Sequence, residues 1–310
     1  MALKTILVGC DLSVPSAHAI ARATALARMH VASLILVHAQ REDEGHGVVG
    51  EVTAAVRAEE AVRLSATYDA IRARGISAEL LVRSGAPGDV LAAVATERAA
   101  DLVVVGTHGH GGVERLLLGK LGSVATHIVH SAPCDVLVVR GAAGTSAAPG
   151  QHDAVPDSEW VAFGSPIVGT DFSPAAEKAL AHVADLVIEG APIALVHAWQ
   201  LPSGSWGATL LGAARFPWST VRDAVIANAR EQADALAAKR ASVGHAVAVE
   251  LVQGSPAEVI VQRATEHHHD LIALGAHGHK GLRRLLVGSV ADRTIHHAPC
   301  SVLVVHGRAN

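Results

Sequence analysis

Asp270-Leu271-Ile272-Ala273-Leu274-Gly275-Ala276-His277-Gly278 is an apolar run that closes on glycines, and Gly288-Ser289 follows where a helical pattern begins. A buried parallel strand hands over to a loop and then to a helix in this way. Glycine at the strand end lets another backbone come close, and the first N–H groups of the next helix point at whatever sits there, anions above all. A related order occurs earlier, Gly106-Thr107-His108-Gly109 after an apolar run and Gly122-Ser123 further on.

Working outward from these loops, the rest of the chain also repeats. Ile6-Leu7-Val8-Gly9-Cys10-Asp11-Leu12-Ser13 corresponds to Ile167-Val168-Gly169-Thr170-Asp171-Phe172-Ser173, and Leu36-Val37-His38-Ala39 to Leu195-Val196-His197-Ala198. Ala132-Pro133-Cys134-Asp135-Val136-Leu137 returns as Ala298-Pro299-Cys300-Ser301-Val302-Leu303. The chain is a tandem duplication. Copy one reads as strands near 4–9, 33–39, 78–83, 101–106 and 135–140, and copy two as strands near 165–169, 192–198, 246–252, 270–275 and 301–306. Helical patterns over 16–30, 52–74, 87–99 and 123–130 separate the first set. Such alternation predicts an α/β fold of two repeated doubly wound domains, each with a five-stranded parallel sheet flanked by helices. The expected division is 1–141, a Gly/Ala/Ser/Pro-rich linker over 142–160, and 161–310. Ligands of such sheets sit beyond the carboxyl ends of the strands, where strand order reverses. Copy two carries about ten extra residues over 200–217, including Trp206 and Phe216 with Trp218 beside them. They are expected either to pack over the sheet or to wall a ligand or partner surface.

Half of the residues are apolar but only 3% are aromatic, which suits cores of Val, Leu, Ile and Ala. The net charge of -4 is mild and no long basic block occurs, so neither nucleic acid nor a membrane is the expected partner. Three widely spaced cysteines, Cys10, Cys134 and Cys300, fit a reducing cytoplasm and buried structural thiols. Met1–Val8 reads as a first strand rather than a leader, and no apolar run reaches membrane length. Twenty histidines are many. His108 and His277 sit between the first two loop glycines, where an imidazole N–H meets a phosphate more plausibly than zinc. No Ser-His-Asp arrangement, nucleophile elbow or paired carboxylates occur within a motif, so no catalytic residue is assigned.

With these residues in view, both copies resemble universal stress protein domains, an adenine-nucleotide alpha hydrolase-like fold. The family's nucleotide-binding members share Gly, two residues, Gly, nine residues, Gly, then Ser or Thr. Gly275, Gly278, Gly288 and Ser289 fit this in full, and the Val-Gly-x-Asp openings and Ala-Pro-Cys turns are similar too. The resemblance implies binding of ATP or a related adenine nucleotide with Mg2+, and a role as a stress-response sensor or regulator. Thr170 and Asp171 would lie near ribose and phosphates, Ala198 near the base, and Gly275, His277, Gly278, Gly288, Ser289 and Val290 around the phosphate chain. The corresponding residues of copy one are Cys10, Asp11, Ala39, Gly106, His108, Gly109, Gly122 and Ser123. It also implies pairing of the copies through their last strands, 135–140 and 301–306, with a further homodimer as an option. A slow ATP hydrolase and a nucleotide-free interaction module are the rival readings.

Copy one departs from the pattern. Gly109 and Gly122 are 13 apart, whereas Gly278 and Gly288 are 10 apart. Either three extra residues precede Gly122-Ser123, or Gly119 keeps the spacing and Lys120 replaces the Ser or Thr. Copy two is therefore expected to hold the tighter site.

Overall fold

The computed structural model describes residues 3–40, 48–109, 121–141, 161–200, 218–241, 244–277 and 287–306. Copy one contributes β1 (Thr5–Gly9), α1 (Val14–His30), β2 (Ser33–Gln40), α2 (Val48–Arg72), β3 (Ala78–Ser84), α3 (Pro87–Glu97), β4 (Leu102–Gly106), α4 (Ser123–Ser131) and β5 (Asp135–Val139). Copy two contributes β6 (Pro166–Gly169), α5 (Pro174–Val183), β7 (Ile193–Trp199), α6 (Trp218–Ala241), β8 (Val247–Gln253), α7 (Pro256–Glu266), β9 (Leu271–Gly275), α8 (Ser289–His297) and β10 (Ser301–Val305). Each expected strand is present, with ends moved by one residue at most.

The strands form one ten-stranded sheet in the order β3-β2-β1-β4-β5-β10-β9-β6-β7-β8. Within each copy every pairing is parallel. The copies meet at β5 and β10, which pair antiparallel with Leu137 opposite Leu303. The expected contact between last strands is thus an actual hydrogen-bonded seam. It removes the exposed edge that each five-stranded sheet would otherwise present.

Alternation along the strands feeds two cores. Ile6, Val8, Leu34, Leu36, Leu137 and Leu303 face α1, α2, α5 and α6 on one side. Leu7, Ile35, Val37, Val136, Val138 and Val304 face α3, α4, α7 and α8 on the other. Near-continuous Val/Ile/Leu runs are required because both faces are buried.

Local signals explain the helix starts. Ser13 and Ser173 cap α1 and α5 by accepting the N–H groups of Ser16 and Ala176, each at 3.3 Å. Pro87 and Pro256 open α3 and α7, where a missing N–H costs nothing. Copy two also braces copy one outside the sheet. Arg22 of α1 lies over the Phe163 ring, 4.4 Å from its centroid, and donates to the Val161 carbonyl at 2.7 Å. The linker and the 201–217 insertion, with Trp206 and Phe216, lie outside the described residues. Trp218 begins α6.

Candidate functional site

In each copy the strand order reverses between its first and fourth strands, β1 and β4 or β6 and β9. A crevice at the carboxyl ends is expected there. In copy one that crevice is a cleft of about 450 Å3, large enough for a nucleotide-sized ligand. Gly9, Cys10 and Asp11 line it from β1, and Gly106, Thr107, His108 and Gly109 from β4. Val37 and Ala39 come from β2, Pro87 and Leu91 from α3, and Gly122, Ser123, Val124 and Ala125 from the start of α4. All eight copy-one residues singled out in the sequence therefore line one cavity. Ala39 and Ala198 lie within β2 and β7 rather than beyond them.

The turn after the first strand is built alike in both copies. Leu12 and Phe172 hold left-handed backbone, with φ of 61° and 63°, which branched or bulky residues avoid at a cost of about 1–2 kcal/mol. Side-chain oxygens hold the turn in place. Asp11 Oδ1 accepts the Ser13 N–H and hydroxyl, and Asp171 Oδ1 accepts the Ser173 N–H at 3.0 Å. Thr170 Oγ1 accepts the Phe172 N–H at 3.0 Å. In copy one a thiol, Cys10, receives the N–H of Leu12 instead. Burial pushes the Cys10 thiol up to about 11, so it stays protonated and unreactive at neutral pH.

The loop glycines answer two needs. A Cβ on Gly106 would stand 2.6 Å from the Pro15 carbonyl oxygen, and one on Gly275 would stand 2.8 Å from Ala175. These glycines let α1 and α5 seat against the strand ends. Gly122 serves the cleft itself, where a Cβ would come within 3.0 Å of the Thr107 oxygen. The Gly122 N–H donates to Thr107 O at 2.8 Å, and Gly288 N–H donates to Ala276 O at 2.7 Å. Both glycines then cap a nine-residue helix opened by serine. Gly122-Ser123 is thus the counterpart of Gly288-Ser289, which resolves the alternative left by the spacing. Gly119 and Lys120 lie outside the described residues.

In copy two Thr170, Asp171, Ala198, Gly275, His277, Gly288, Ser289 and Val290 occupy the corresponding strand ends and helix start. Gly278 lies outside the described residues. His277 Nε2 is buried and has no hydrogen-bond partner among them. Its neighbour His306 donates its Nε2–H to the Val129 carbonyl at 2.8 Å, a contact made to copy one. Burial holds the His306 imidazole below its ordinary value of 6.5, and His277 adds to that shift. Among the described residues no group of three or more His, Cys, Asp or Glu could hold a metal ion. No helix among them is long and apolar enough to cross a membrane.

Some site residues escaped the sequence reading. Val124 lines the copy-one cleft and is the counterpart of Val290, which was named, so the repeat alone could have found it. His38 and His197 were seen only as repeat markers. Each places Nδ1 at 2.8 Å from the carbonyl of Cys10 or Thr170, pinning the strand end that carries the aspartate. A polar residue inside an apolar strand was the available signal. Cys134 is buried and Cys300 half-buried, with burial pushing the Cys300 thiol up to about 12, in line with structural thiols.

Comparisons with known proteins place the geometry in context. The sequence model of the Universal stress protein family matches residues 2–140 and again 166–306. A universal stress protein of Mycobacterium tuberculosis is 29% identical over 266 residues, covering 85% of this chain and 77% of its own. One from Mycolicibacterium smegmatis is 27% identical, covering 98% of this chain and 97% of its own. Among solved structures, a universal stress protein from Archaeoglobus fulgidus has the same fold at 20% identity, with a TM-score of 0.64 and 98% of each chain covered.

Proposed function

The chain belongs to the universal stress protein family, and on that premise we propose that it binds ATP or a related adenine nucleotide through its glycine loops, as a cytoplasmic stress-response regulator rather than a dedicated catalyst. The observation that carries this reading is the copy-one cleft, in which both strand ends, the Asp11 turn and the start of α4 converge on one cavity. The free N–H groups of the first turn of α4 offer a phosphate the donors that a helix start leaves unpaired. Ala39 and Leu91 give an apolar wall for a base, and Asp11 gives a carboxylate for a sugar hydroxyl.

The same residues fit Mg2+ as the nucleotide's counter-ion. Asp11 is a hard oxygen donor at the cleft, and a Cβ on Gly109 would collide with its Oδ2, so carboxylate and loop backbone lie side by side. Bound there, the ion would neutralise phosphate charge while Asp11 holds it through oxygen or water. Copy two keeps the glycine pattern intact and is read as the second, tighter site.

Calorimetric titration of Mg-ATP tests this on three proteins. They are the wild type, Gly122→Val with Ser123→Ala, and Gly288→Val with Ser289→Ala. Each double variant is expected to lose one site, the copy-two change removing the tighter one. Equal binding by all three would overturn the assignment. Heat-denatured fresh protein releasing no adenine nucleotide, with no titration signal, would favour a nucleotide-free module.

A further inference from the structure

We propose, building on that nucleotide-binding reading, that His296 of copy two is a positioning residue for the copy-one cleft. Its Nδ1 accepts the backbone N–H of Leu121 at 3.2 Å. Leu121 is the residue before Gly122 and Ser123, where the cleft passes into α4. This entry is held on its own side by the Gly122 N–H bond to Thr107 O at 2.8 Å. On the other side it is held by a side chain that copy one does not own. Two anchors on consecutive residues fix where α4 starts, and so where its unpaired first-turn N–H groups aim.

The tautomer fits this role. His296 Nε2 faces the Asp292 carboxylate at 3.9 Å, which favours a proton on Nε2 and leaves Nδ1 as the acceptor that Leu121 needs. The bond to the neighbouring backbone runs one way, although His130 Nε2 of copy one also lies 3.9 Å from the copy-two Asp292 carboxylate. His130, the equivalent residue of copy one, commits its Nδ1 to the Thr126 carbonyl of its own helix at 2.8 Å. Copy two thus steadies the copy-one cleft, and α8 carries the candidate copy-two loop at one end and this clamp in its last turn.

Amide NMR on the full chain tests the proposal. The exchange rate of the Leu121 amide is measured, and the shifts of Ser123–Ala125 are followed as Mg-ATP is added. His296→Ala, and His296→Gln as a bulkier variant without an acceptor at the Nδ1 position, should speed Leu121 exchange and weaken copy-one affinity about five-fold. His296→Asn, whose amide oxygen falls close to the Nδ1 position, should restore both. Unchanged exchange and affinity in the Ala and Gln variants, or no rescue by Asn, would overturn the role of His296. If Ser123–Ala125 do not respond to Mg-ATP in the wild type, the nucleotide reading fails. The Leu121 exchange rates then decide the positioning role alone.

Discussion

The two copies share strand order, the serine caps after their first strands and the left-handed turn, yet they differ at the two ends of the seam where they meet. At one end of the β5–β10 seam Arg140 N–H donates to the Ser301 hydroxyl at 3.2 Å. At the other, the equivalent N–H, from His306, donates to Asp135 at 3.1 Å, and Asp135 also binds His182 Nδ1. One seam end is therefore closed by a neutral hydroxyl and the other by a carboxylate that takes a backbone N–H and the His182 imidazole. Duplication made the halves alike, while a shared interface lets each position answer to a different neighbour.

The largest effect should come from cutting the seam. Leu137 and Leu303 are opposite each other and fully buried. Leu137→Ala or Leu303→Ala should each cost about 3 kcal/mol in urea unfolding, and the pair should be non-additive because the residues touch. Additive losses would mean that the copies do not share one core. Next, Gly106→Ala and Gly275→Ala should each lose about 2 kcal/mol, because the added Cβ meets backbone in both copies. A cost in only one copy would break the equivalence of the loops. Gly75→Ala is a poor control, since φ is +77° there even though nothing stands within 4 Å.

His38→Leu should cost about 1–2 kcal/mol, since His38 is 5% exposed and its loss orphans the Cys10 carbonyl. His197→Leu should cost less, because His197 is only half-buried and the new side chain keeps apolar contact with Phe172, whose ring lies 4.5 Å away. Equal costs would erase that difference. The smallest effect is a pH dependence. The folded value of His306 lies below 6.5, so the unfolded chain takes up the proton first. Its contribution to stability is complete above about pH 6.5 and is lost as pH falls through the lowered folded value. His306→Asn should flatten that part of the stability–pH curve, measured by thermal unfolding between pH 7.5 and about 5.

Much of the architecture was readable without coordinates. Strand runs such as Leu102–Val105 and Val302–Val305 are continuous apolar blocks, and only a strand buried on both faces needs such a block. The cleft residues of copy one were readable because the loops repeat, so one copy annotates the other. Val124 was missed although its counterpart Val290 was named, and Thr107 because its counterpart is Ala276, so the repeat marks no polar residue there. Which glycine opens α4 was undecidable from spacing alone. It was settled by the Gly122 bond to Thr107 O, a contact between segments with a loop between them.

The sequence by itself determined the duplication, the doubly wound α/β class, the Asp11 and Asp171 turns and the proline-opened starts of α3 and α7, because propensity, capping and periodicity act over a few residues. Only the tertiary structure decided that the last strands meet antiparallel with Leu137 opposite Leu303, that Gly106 makes room for Pro15, and that His296 Nδ1 serves the opposite copy's cleft while His130 Nδ1 serves its own helix. The reason is range. Those outcomes depend on which atoms a fold brings within about 3 Å across about ninety residues or more, and local chemistry leaves no mark of that in the chain.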